Sequence, residues 1–78
     1  MSIEPEYLTG LEDVAAQMRS IMDGSFVQDA IMPEPLSAIM ERLVAHVEII
    51  VRMYPNENLI RFADVANQGR AWILEGNR

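Results

Sequence analysis

Between residues 36 and 54 the apolar side chains fall at Leu36, Ile39, Met40, Leu43, Val44, Val47, Ile50, Val51 and Tyr54. The gaps are three or four residues or sums of them, so these side chains share one face of an α-helix. Pro33 and Pro35 punctuate its start and Pro55 forces its stop, which predicts a helix over about 34–54. Counted at about 100° per residue, the apolar arc sweeps from Met53 and His46 through Ile39, Ile50 and Leu43 to Val51 and Val44. That is about half the circumference, where a one-sided surface helix needs a stripe of about 100°. A helix of this kind serves two neighbours, its own chain along one flank and another chain along the other.

Two further helices flank this one. Thr9-Gly10-Leu11-Glu12 has the form of a capping box, and Leu11, Val14, Ala15, Met18, Ile21 and Met22 follow as a stripe. Gly24 suits a left-handed terminus, which predicts a first helix over about 10–22, with an earlier start at Pro5 as the alternative. After Pro55, Asn56 is a good cap for a last helix over about 57–75, stopped by Gly76. Its expected inner face is Leu59, Phe62, Ala63, Ala66, Gly69 and Ile73, flanked by Leu74. Ala63, Ala66 and Gly69 invite close helix approach, which would offset the roughly 1 kcal/mol that Gly69 costs in helix propensity. Ser25-Phe26-Val27-Gln28 offers a weaker capping box for about two turns reaching Ile31, or else a short extended segment. The expected fold is therefore all-α, one small domain over residues 1–78. It has three main helices and one short helix, the second and third main helices forming an antiparallel hairpin.

With 78 residues, a single core yields only a few kcal/mol of net stability. Cysteine is absent, so no disulfide supplements it. His46 is the one histidine, and no carboxylates have metal-loop spacing, so neither a metal nor a cofactor is expected. Oligomerisation is the supplement left, and a composition 50% hydrophobic fits a subunit that hides a face. The expected homodimer interface is Leu36, Ile39, Met40, Leu43, His46, Val47, Ile50 and Met53.

The formal net charge of −6 lies wholly at the N-terminal end. Up to Glu34, seven acids face Arg19 alone; from Pro35 onward five acids meet five arginines. Every basic residue is arginine, a residue favoured at interfaces, though a GC-rich coding sequence gives the same bias. No basic footprint for nucleic acid or anionic membrane exists. No long apolar run or signal segment is visible, so a cytoplasmic location is expected.

No nucleophile in an activating setting accompanies His46, and no enzyme is expected. His46 reads as a partly buried interface-edge residue, a pH-sensitive interface residue or, remotely, a general base. Arg70 is expected inside the apolar face of the last helix, where it needs a route to water or an ion pair across a subunit boundary. Val65 and Trp72 share a line outside that face, flanked by Arg61 and Gln68. Trp and Arg dominate binding hot spots, so Arg61, Val65, Gln68 and Trp72 form the expected partner-binding line; the alternative is that Trp72 covers the core margin. The methionines read as core filler or as adaptable binding surface. In size and composition the chain resembles small acidic helical antiactivators, inhibitors and anti-defence proteins of bacteria and phages. The expected function is a homodimeric regulator that binds another protein. The alternatives are an acidic nucleic-acid mimic that occupies a basic groove and, remotely, a small enzyme or ligand-binding subunit.

Overall fold

The computed structural model describes residues 3–28 and 34–76. They form three helices, α1 (Pro5–Asp23), α2 (Leu36–Met53) and α3 (Ile60–Leu74), and no strand. Each helix packs on both others around a core drawn from all three, including Leu11, Met18, Met40, Val47, Phe62 and Val65.

α2 has the bounds its prolines impose. α1 begins earlier than Thr9. Pro5 takes a first-turn position, where its missing N–H costs nothing, and the Tyr7 and Leu8 amides bond to the Glu4 carbonyl. The Thr9 hydroxyl donates instead to the Pro5 carbonyl at 3.0 Å, so the Thr9–Glu12 capping box is not formed. The earlier start brings the Tyr7 ring to 6.2 Å from that of Tyr54 and lets Leu8 pack on the core. At the other end Gly24 is left-handed (φ 85°), its amide bonding to the Ile21 carbonyl and the Ser25 amide to that of Ser20. These bonds satisfy carbonyls that the last turn would leave open.

The short helix after Gly24 is not present among the described residues. Ser25 is used locally: its hydroxyl and its amide both donate to Asp23 Oδ1, at 2.6 and 2.9 Å. Residues 25–28 are not helical, and Ala30 and Ile31 lie outside the described residues. The Gln28 side-chain amide then donates to the Glu34 carbonyl and accepts from the Glu34 amide, closing the connection before α2.

Asn56 does not cap α3. Leu59 is buried in the core and holds the turn, and its carbonyl accepts from the amides of Phe62 and Ala63. The Ile3 amide donates to Glu57 Oε1 at 2.7 Å, tying the N-terminal segment to this turn. The buried face of α3 is Phe62, Val65, Ala66, Gly69 and Trp72. It is rotated from the expected one: Val65 and Trp72 point inward, Ala63 and Ile73 are half-buried, and Leu74 is 87% exposed.

Gly69 explains the rotation. A Cβ built on Gly69 would lie 2.8 Å from Val44 Cγ2, 3.0 Å from Met40 Sδ and 3.2 Å from Met18 Cε. Both other helices therefore close on this one backbone position. Gly10 in α1 has nothing within 4 Å of such an atom. These two glycines should respond oppositely to alanine. Gly10→Ala should stabilise by about 0.5–1 kcal/mol, because helix propensity is the only change. Gly69→Ala should destabilise by about 1 kcal/mol net, since overpacking against the stiff Val44 outweighs the propensity gain. Urea denaturation midpoints of the two variants give the comparison.

Candidate protein interface on α2

The intrachain core uses only part of the apolar arc of α2. Met40, Val44, Val47 and Ile50 are buried within the chain. Of the eight residues expected at a homodimer interface, Met40, Val47 and Ile50 are thus core residues of the single chain, and no surface for a second copy includes them. Leu36, Ile39 and Leu43 are half-buried and pack against the core. His46 is exposed and Met53 is 60% exposed. Beside them stands Ile49, 57% exposed, with exposed Ala45. Ile49 lay beyond the expected arc; its spacing to Ala45 and Met53 is the signal that points to it.

The expected partner-binding line does not form a surface. Val65 and Trp72 are 3% and 9% exposed. Arg61 and Gln68 remain on the outside. Arg61 reaches Glu12 Oε2 at 3.4 Å and lies 4.6 Å from the centre of the Phe62 ring, so it joins α3 to α1.

Arg70 is likewise not inside the apolar face. It is exposed, and its guanidinium grips Glu48 of the same chain through two bonds, Nε to Oε2 at 2.7 Å and Nη2 to Oε1. The expected pair across a subunit boundary is thus replaced by a pair within the chain, between α3 and α2. The bonds from Arg70 hold the Glu48 carboxyl below its ordinary value, against a small opposing effect of burial. Arg42 does the same to Glu34, through two bonds. The Asp23 carboxyl is lowered by Ser25, first through its hydroxyl and then its amide. The Tyr54 hydroxyl is pushed up, by burial first and then by Tyr7 and Glu4.

Open clefts follow the α2–α3 seam. One of about 210 Å³ has Val47, Val51, Ala63 and Ala66 in its lining with Glu48, Arg52 and Asn67. Another of about 380 Å³ is lined by Glu41, Val44, Arg70, Ile73 and Leu74. Neither brings His46 together with a carboxylate. Among the described residues no group of three His, Cys, Asp or Glu side chains has metal-binding placement, and no helix is long and apolar enough to cross a membrane. The chain matches no family model, no curated protein and no solved structure.

Two outcomes follow from these placements. Trp72→Ala should cost about 3–5 kcal/mol and largely unfold so small a domain, read by circular dichroism and thermal melting. Acid should weaken the α2–α3 contact. A carboxyl whose folded value is lowered stabilises the fold above its ordinary value and loses that contribution as pH falls through the folded value. Denaturation midpoints should therefore fall with pH below about 4.5, and Glu48→Gln should flatten that fall.

Proposed function

We propose that the chain is a non-enzymatic protein-interaction module, a small homodimeric regulator that binds another protein in the cytoplasm and inhibits or modulates it. In this reading α2 and α3 are an antiparallel hairpin, and α2 also carries the contact with a second copy. One observation supports it above the rest: Ile49 and Met53 stand more than half exposed next to half-buried Ile39 and Leu43, on the flank of α2 that the core leaves open. Side chains exposed to this extent forgo burial worth about 1–2 kcal/mol each.

The acidic-mimic reading has less support. Of the seven N-terminal acids, Glu12 and Glu34 are already engaged by Arg61 and Arg42 of the same chain. A mimic offers its charge unpaired.

The test has two arms. Sedimentation should give a dimer at micromolar concentration, and a single 8.8 kDa species throughout would remove the dimer from the reading. A protein captured from the host with the tagged chain, then purified, should bind with little change in affinity between about 0.1 and 0.5 M salt. Affinity that collapses over that range would put the acidic mimic in its place.

A further inference from the structure

We propose that two copies join by crossing their α2 helices antiparallel, about a two-fold axis beside His46, with Ile49 of each as the central knob. This rests on the dimeric reading above and gives it a face, an orientation and a pairing.

The exposed strip of α2 is Ala45, His46, Ile49 and Met53, continued by half-buried Ala38 toward the start of the helix. Arg42 is the charged side chain within it. Arg42 is held by both oxygens of Glu34, a bidentate pair that neutralises it. The strip is therefore nearly uncharged along its length. Ile49 is its largest uncovered aliphatic side chain. In the partner helix, Ala38, Glu41, Arg42 and Ala45 have the i, i+3, i+4, i+7 spacing of a hole that receives such a knob.

Charge placement sets the direction. Glu41 and Arg52 are both exposed. They project within about 20° of each other around the helix, about 16 Å apart along it. A parallel two-fold pair would set each edge of the strip against the opposite edge of the partner, leaving Glu41 and Arg52 beside the apolar Ile39 edge with no charge to meet. An antiparallel pair sets Glu41 against the partner's Arg52, twice. The midpoint between Glu41 and Arg52 falls next to His46. On the other edge of the strip, Ile39 and Met53 are centred on His46 as well. One axis therefore satisfies the ionic edge and the apolar edge together.

A second copy fits this strip because the strip is complementary to itself under that axis, each Glu41 meeting an Arg52 and each Ile39 a Met53.

Three variants of the full chain test this by analytical ultracentrifugation, with circular dichroism to check the fold. Ile49→Glu, at an exposed position, should keep its helical content and weaken the dimer by well over tenfold. Glu41→Arg should weaken it by about tenfold, and adding Arg52→Glu to Glu41→Arg should restore it, because the pair is rebuilt with signs exchanged. The chain has no cysteine, so His46→Cys supplies a single thiol. A short bismaleimide should join two copies of His46→Cys efficiently, and two copies of Ala71→Cys, on the outer side of α3, poorly. A dimer that is indifferent to Ile49→Glu, or is joined through Ala71→Cys as readily as through His46→Cys, overturns the α2 crossing and leaves the dimeric regulator standing. A monomer at every concentration overturns both. A dimer restored by Glu41→Arg with Arg52→Glu rules out a parallel pair.

Discussion

At Gly69 the three helices come as close as backbone and side chains allow. Val44 and Met40 of α2 and Met18 of α1 all lie within 3.2 Å of where a Cβ would stand. Most of the arrangement of α3 follows from putting this position at the centre of its inner face. At about 100° per residue, Val65 and Trp72 then fall to one side of the centre and Phe62, Ile73 and Ala66 to the other. All are buried except the half-buried Ile73. Ala63 moves to the margin, where it lines an open cleft on the α2 side. Arg70, one residue beyond Gly69, is carried out of the core and onto Glu48. A larger residue at 69 would move the helix axes apart and loosen each of these placements together.

This explains what was legible in the sequence. The bounds of α2 were legible because prolines act locally, through a fixed φ and a missing N–H, whatever packs around them. Gly24 and Gly76 were legible for the same reason: both are left-handed (φ 85° and 71°) at helix ends. The small residues of α3 announced a close approach, and Gly69 makes it. The centre of the α3 face was not legible, because periodicity finds a stripe without saying which of two adjacent lines faces inward. Large side chains at Phe62 and Ile73 suggested one line, while the close approach at Gly69 chose the other and took Val65 and Trp72 inside. The same ambiguity hid Ile49. An apolar arc of half a turn has two edges, and only tertiary contact decides which edge the core takes. Thr9 and Ser25 were misleading for another reason. Their hydroxyls found the Pro5 carbonyl and Asp23, partners within one turn in sequence like the amides they are expected to cap.

The arginines give the charged groups a similar economy. Arg61 joins α3 to α1 through Glu12, Arg70 joins α3 to α2 through Glu48, and Arg42 joins α2 to the connection before it through Glu34. Exposed pairs of this kind contribute little to stability, a median of about 0–1 kcal/mol each. Their effect lies in orientation and in where net charge remains. The pairing withdraws Glu12 and Glu34 from the acidic N-terminal end. It also leaves the outer strip of α2 with its one internal charge neutralised. A surface with paired charges around uncovered aliphatic side chains suits a dry contact with another folded chain better than it suits a highly charged groove.

In the proposed dimer, the inner and outer demands on α2 fall on different residues. Val47 and Ile50 are held within the chain, while Ile49, between them in sequence, projects to the other side. A substitution at Val47 therefore reports on folding and one at Ile49 on assembly, although they are two positions apart. The two processes remain linked by mass action, since anything that binds the folded chain and not the unfolded one stabilises the fold. For a chain of 78 residues without disulfides, that linkage would be a sizeable part of the stability of the proposed dimer. Dilution should thus weaken the fold as it separates the copies, and regulation by such a protein would follow its own concentration more steeply than a monomer's could.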